Sequence, residues 1–107
     1  MEQQPTPLTL DELDQLWNEC ESRTRPAWEK AFNAKDEEGE RQAHLNHQNL
    51  LQKILDNANR WRSSTGDSPV LHLPREQRSE ARAKVQEFIR LVLAERRRIL
   101  KLKGEIP

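Results

Sequence analysis

An elongated, all-α four-helix bundle with a long C-terminal helix is the fold this sequence predicts, and three observations carry the prediction. Leu, Ala, Glu, Arg, Lys and Gln dominate the 107 residues, while Tyr is absent and Gly occurs three times. Unbranched side chains lose little freedom in a helix, and Val, Thr and the aromatics are too sparse for a sheet. Apolar residues recur at spacings of three and four, the period of a helix with one buried face. Charge, finally, is sorted along the chain under a net value of zero. Residues 1–40 hold eleven acids and four bases, residues 41–73 two and four, and residues 74–107 five and ten. An acidic helical region thus precedes a basic one. Either the two pack together or the basic end faces an acidic partner.

A chain of this length makes one domain and buries roughly two thirds of its unfolded surface, enough for one core. Hydrophobic and charged residues each make up 34%. Because the Leu, Ile, Val, Trp and Phe residues cluster, the domain is expected to be folded but heavily solvated. The longest apolar run is short and interrupted by charge, too little for a membrane span. Residues 1–8 lack the basic and apolar regions of a signal peptide, and the single Cys20 has no internal disulfide partner. A reducing cytoplasm is the expected setting.

Residues 1–8, with Pro5 and Pro7, read as a flexible tail. Thr9 to Glu12 form a capping box, in which Thr9 caps the Glu12 N–H and Glu12 reaches back. The first helix then spans about 10–23, with Leu10, Leu13, Leu16, Trp17 and Cys20 on one face. Pro26 is expected to stop it and to start a second helix, about 26–35, with Ala27, Trp28, Ala31 and Phe32 as its apolar face. The expected break is Lys35 to Glu40. Gly39 costs about 1 kcal/mol inside a helix, and an unbroken helix from Pro26 to Trp61 would reach ~54 Å. The third helix, about 40–62, aligns Ala43, His47, Leu50, Leu51, Ile54, Leu55, Ala58 and Trp61. Residues 63–74 form one long loop, from which Val70, Leu71 and Leu73 are expected to fold back on the core. Pro74 precedes the fourth helix, about 75–103, and Gly104 ends it.

On the fourth helix Val85, Phe88, Ile89, Val92, Leu93, Ile99 and Leu100 share a wide apolar face, opposite Ala83, Gln86, Arg90, Ala94, Arg97 and Lys101. Its length, roughly 40 Å, exceeds the ~30 Å diameter of a globule of this mass. Its end therefore either overhangs or packs along a second copy, and a homodimer built on the fourth helix, with or without the third, is expected.

Few residues offer chemistry. His44 and His47 lie one turn apart, with Glu40 a turn earlier, which is a start for a metal site. No second histidine pair completes it. His47 is expected to be a hydrogen-bonded core residue, and no metal or cofactor is expected. Cys20, between Glu19 and Glu21, is expected to be structural, since acidic surroundings raise a thiol pKa. Trp17, Trp28 and Trp61 each fall on an apolar face. Trp28, on the shortest helix, is the expected exposed anchor for a protein partner. Arg96 projects into the apolar face of the fourth helix, and a charge there needs a partner. That partner is a carboxylate on the first or second helix, or a group across a dimer or partner interface. Arg96, Arg97 and Arg98 point in three directions. Arg90, Arg97 and Lys101 make the coherent basic stripe and, with Arg98, the alternative site for nucleic acid. No nucleophile–base pair, phosphate loop or complete metal-ligand set is present, so an enzyme is not expected.

Two short segments resemble known families. Gly66-Asp67-Ser68 resembles the first block of GDSL-type hydrolases, but the preceding buried strand and the later Asp-x-x-His pair are missing, so a polar turn is expected. The run from Ala94 to Pro107 resembles the helix ending of phage packaging and mobile-element DNA-associated proteins, in which an Arg-rich helix closes on Leu, Gly and Pro. The resemblance implies a bacterial mobile-element origin, and no site residue is carried over from it. The functional expectation is a small non-enzymatic helical binding protein: an adaptor, regulator or inhibitor acting through protein contacts. The alternatives are an accessory nucleic-acid binder using the basic helix, and a phage or mobile-element inhibitor of a host defence enzyme.

Overall fold

A computed structural model describes residues 7–62 and 68–107, and every described element is helical. Four α-helices are present among the described residues: α1 (Leu10–Glu19), α2 (Arg25–Asn33), α3 (Glu37–Arg62) and α4 (Arg75–Leu102). They do not make four rods. A π-helical turn, Cys20–Thr24, joins α1 to α2 without a break, so three continuous helical segments form the domain. This corrects the four-helix bundle expected from Pro26. Pro26 has no N–H and its ring presses on the carbonyl four residues back. The preceding turn widens to accommodate it: the Arg25 N–H bonds to the Cys20 carbonyl, five residues back. The helix is deformed rather than ended.

The capping box at the start of α1 forms as expected. The Glu12 N–H donates to Thr9 Oγ1 at 3.1 Å, and the Thr9 N–H donates to Glu12 Oε1 at 3.0 Å. Leu8, assigned to the flexible tail, is pinned instead. Its N–H donates to Asn57 Oδ1 at 2.8 Å, and its carbonyl accepts from Trp61 Nε1 at 2.7 Å. The remainder of that tail, residues 1–6, lies outside the described residues.

The turn between α2 and α3 falls at residues 34–36, earlier than expected, and Gly39 is not the breaker. Lys35 is left-handed, with φ 57°. The Asp36 N–H bonds to the Ala31 carbonyl and the Lys35 N–H to the Phe32 carbonyl, which makes a Schellman ending. Asp36 then caps α3 by accepting from the Gly39 N–H at 3.0 Å. A Cβ on Gly39 would overlap that capping carboxylate. The glycine therefore makes room for a helix start. The same ending recurs at α4, where Gly104 has φ 77° and Glu105 N–H bonds to the Leu100 carbonyl.

Helices α3 and α4 run antiparallel and supply most of the core. Leu51, Ile54, Ala58 and Trp61 of α3 meet Ala81, Val85, Phe88, Ile89 and Val92 of α4, and Leu13 and Cys20 close the third side. Ser68 and Pro69–His72, a 3₁₀ turn, return the chain to this core: Val70 is buried and Ser68 Oγ donates to the Trp61 carbonyl at 2.9 Å. Gly66 and Asp67, the rest of the GDSL-like block, lie outside the described residues. The molecule measures 50 × 33 × 23 Å with a radius of gyration of 16.1 Å, against about 13 Å for a compact chain of this length. No helix of the described residues is long and apolar enough to cross a membrane.

The two Schellman endings differ only in the residue that adopts the left-handed position, and a side chain there costs free energy that glycine avoids. Lys35→Gly should raise unfolding stability by roughly 0.5–1 kcal/mol, and Gly104→Ala should lower it by about 1 kcal/mol. Urea melts of the two variants beside the parent check both signs.

Candidate functional site: a buried polar layer beside an exposed helix face

The charge that enters the apolar face of α4 is Glu95, not Arg96. Its side chain is 2% exposed. Glu95 Oε2 accepts from His47 Nε2 at 2.7 Å and from Arg25 Nε at 2.9 Å, and Oε1 accepts from Arg98 Nε at 2.6 Å. Arg98 continues to Glu29 Oε1 at 2.8 Å. On the far side of the ring, Thr24 Oγ1 lies 2.6 Å from His47 Nδ1. An ionised carboxylate only accepts, so His47 donates from Nε2, while its Nδ1 shares a hydrogen bond with the Thr24 hydroxyl, which also reaches the Cys20 carbonyl at 3.4 Å. The π turn places Thr24 here: Cys20, Thr24 and Trp28, four apart, are all buried.

Burial by itself would raise the Glu95 carboxyl pKa. The hydrogen bonds from His47, Arg98 and Arg25 outweigh it and hold the group well below the usual carboxylate range. Glu95 and Glu29 offset Arg25 and Arg98, so the buried carboxylate is compensated by two partly exposed guanidiniums. The layer divides the interior. The main core lies on one side; on the other Ile99 is buried and Trp28 stacks on Phe32 with ring centroids 4.9 Å apart.

Thr24, His47 and Glu95 share the hydroxyl–imidazole–carboxylate connectivity of a hydrolase triad. Their surroundings differ from one. His47 is fully buried, Thr24 is 9% exposed, and the carboxylate is saturated by two arginines. Cys20 is also buried, and burial, aided by Glu95 and Glu19, pushes its thiol up to about 11, far from a thiolate at neutral pH.

Other expected site residues are redistributed. Trp28 is fully buried and donates from Nε1 to Glu40 Oε1 at 2.9 Å. This corrects its assignment as an exposed anchor: the continuous α1–α2 rod lies along α3 and covers the ring. With Glu40 held by Trp28 and His47 by Glu95, the Glu40–His44–His47 set does not converge. Among the described residues no three metal-ligating side chains come together. His44 Nδ1 is buried without a hydrogen-bond partner among the described residues, and burial followed by the Lys103 charge lowers that histidine's pKa. A groove of about 640 Å³ opens beside it, with Phe32, Lys35, Glu40 and Lys103 in its lining.

The charge gradient is partly consumed inside the molecule. Lys84 meets Asp14 at 2.6 Å, Arg98 meets Glu29, and Lys103 approaches Glu40 at 3.8 Å. Arg98 is therefore removed from the basic stripe expected to face nucleic acid. Arg90 is paired with Glu87, while Arg97 and Lys101 are exposed and make no ion pair among the described residues. Arg96 does not reach a carboxylate on α1 or α2. It lies across the α3–α4 seam, donating from Nε to Gln48 Oε1 at 3.0 Å and from Nη2 to Gln52 Oε1 at 2.6 Å.

Polar groups and exposed leucines are mixed on this part of the surface. Leu45 and Leu93 are each 53% exposed, Leu102 49% and Leu100 37%, the large exposed hydrophobic residues of the described chain. A shallow groove of about 400 Å³ between α3 and α4 is lined by His44, Gln48, Arg96, Ile99, Leu100, Lys103 and Glu105. Leu93 and Leu100, expected inside the wide apolar face of α4, instead form its outer margin. In comparisons with known proteins, no family model, curated protein or solved structure matches the chain.

Glu95 is the member whose loss exposes the layer's role. Glu95→Gln should lower stability by roughly 2–4 kcal/mol, because Arg25 and Arg98 keep their charges without the buried counter-ion. The Glu95 pKa is depressed in the folded state, so the unfolded chain binds the extra proton on acidification. Its stabilisation should be complete above about pH 5 and decline as pH falls below the ordinary glutamate value of about 4.3. Urea melts between pH 3 and pH 7 should show that slope in the parent and a shallower one in Glu95→Gln.

Proposed function

We propose that this protein is a non-enzymatic binding module that docks another protein on its α3–α4 face. The observation that carries the reading is the exposure of Leu45, Leu93 and Leu100 beside a groove in which Arg96 is held by two glutamines. Interfaces are enriched in apolar anchors and arginine, and their central charges are oriented before the partner arrives. Arg96 meets that description: two of its five N–H donors are spent on Gln48 and Gln52, which fix the guanidinium and leave donors for a partner. The triad-like layer supports the same reading, since its hydroxyl and imidazole are enclosed and serve the packing of three helices.

A nucleic-acid reading is favoured by Arg97 and Lys101, exposed and without ion pairs among the described residues. It is weakened by the engagement of Arg98 and Arg90 with glutamates and by the exposed Leu93 and Leu100 beside the remaining cations. The homodimer built on α4 is disfavoured by charge, because it brings together two copies of a face on which Arg82, Arg96 and Arg97 are in excess.

Leu93→Glu combined with Leu100→Glu should leave the melting temperature within a few degrees of the parent, since both side chains are already exposed. A photo-crosslinking side chain at position 93 should give a discrete protein adduct in cell lysate, and one at Lys30 should not. A gel shift of mixed DNA and RNA at low salt that Arg97→Glu abolishes would replace this reading with the nucleic-acid one.

A further inference from the structure

Resting on that docking reading, the face also carries information about what it docks. On α4 the exposed residues Arg82, Gln86, Arg90, Leu93, Arg97 and Leu100 follow one another at spacings of three and four. They form a single stripe about 27 Å long. No acidic residue lies on it. The exposed acids of α4, Glu76, Glu80 and Glu87, occupy neighbouring rows on the side away from α3, from which Glu87 reaches over to Arg90. Across the seam, α3 contributes Leu45, Gln48, Asn49 and Gln52, all uncharged. Two carboxylates border the face: Asp56, which accepts from Gln52 at 2.7 Å, and Glu105 at the end of the groove. The surface is thus apolar at its centre, mostly uncharged along α3 and cationic along α4.

We propose that this face takes an acidic amphipathic helix from a partner protein, its apolar side against Leu45, Leu93 and Leu100 and its carboxylates toward Arg96, Arg97 and Arg82. Three arguments select that occupant. Leucines two turns apart on a helix match the anchor spacing of a second helix lying in the groove. A margin on which Arg82, Arg96 and Arg97 outnumber the nearby acids attracts carboxylates and disfavours basic or self-identical surfaces. A phosphate backbone would use the arginines and leave exposed leucines unmatched at the centre of the stripe. A second copy cannot offer the acidic helix from its own α1, because Leu13 is fully buried in the core and Leu10 and Leu16 pack against that core.

The test uses the full chain and synthetic helices of about 18 residues, enough to span the stripe. One peptide carries leucines at helical spacing with glutamates elsewhere; a second keeps the leucines and replaces every glutamate by lysine; a labelled DNA duplex of about 20 base pairs is the third probe. Fluorescence anisotropy should give a micromolar Kd for the glutamate peptide and weaker binding, by roughly tenfold or more, for the other two. Leu93→Glu with Leu100→Glu should weaken the glutamate peptide by roughly tenfold or more. Arg97→Glu should weaken it several-fold, and Lys30→Glu on α2, the same charge change away from the face, should not. Equal binding of the lysine peptide would overturn the acidic partner while leaving the docking face intact. So would failure of all peptides alongside a persistent crosslink from position 93. Tighter binding of the duplex, lost in Arg97→Glu, would overturn it in favour of nucleic acid. A dimer in light scattering that Leu93→Glu dissociates would assign the face to a second copy. Loss of both peptide binding and the position 93 crosslink would bring down the docking reading itself.

Discussion

A single buried carboxylate, Glu95, constrains how the three helical segments sit together. It takes hydrogen bonds from α3 through His47, from α2 through Arg25 and from its own helix through Arg98. An ionised group removed from water is tolerated only when such partners are all in place. A slip of α4 by one turn past α3 would carry Glu95 from His47 to the level of Leu51 or Ala43, leaving the charge facing hydrocarbon. Apolar faces built from Leu, Ile, Val and Ala tolerate several registers; a carboxylate with three named donors tolerates one. The interaction contributes alignment more than net stability, since ion pairs in a core gain little over well-packed hydrocarbon.

That alignment depends on a helix that does not break. Pro26 removes one donor and crowds one carbonyl, and the chain answers with a wider turn at Cys20–Thr24. The wider turn holds the helical phase back, which keeps Cys20, Thr24 and Trp28 in one buried row, with Thr24 against His47. With a true break at Pro26, the second helix would be nine residues long and free to take its own angle. Joined to α1, it is held along α3, covers Trp28, and delivers Arg25 to Glu95.

Much of this was legible in the sequence. Helical composition, the capping box at Thr9–Glu12, the apolar faces of α1 and α3 and the stop at Gly104 all rest on local rules, and local rules decided them. The misplaced features depend on long-range facts. Pro26 was read as a stop because sequence shows the lost donor but not the π turn that absorbs it. Gly39 was read as a breaker because glycine disfavours helix interiors; its place three residues after the capping Asp36, where a side chain would collide, depends on where α3 begins. The apolar pattern of α4 puts Arg96 inside its face, while the structure buries its neighbour Glu95. An ideal 100° step cannot say which edge of that face points at α2. The acidic–basic gradient was visible, but the selection of Lys84, Arg98 and Lys103 as its internal pairs required the fold.

Glu95 and Arg96 are adjacent, and their opposite fates link the interior to the surface. The rotation of 100° between them turns one inward to three donors and the other outward onto Gln48 and Gln52. Because Glu95 fixes the rotation of α4, it also fixes which side of that helix is left uncovered. The uncovered side holds Leu93, Leu100, Arg97 and Arg82, while the side toward α1 and α2 holds the residues that pair, Lys84 and Arg98. A rotation of about a quarter turn that buried the leucines would swing Glu95 away from His47 and bring Phe88 toward water. The register enforced by one buried charge therefore keeps an apolar, cationic stripe in water, where it costs hydration free energy until something covers it.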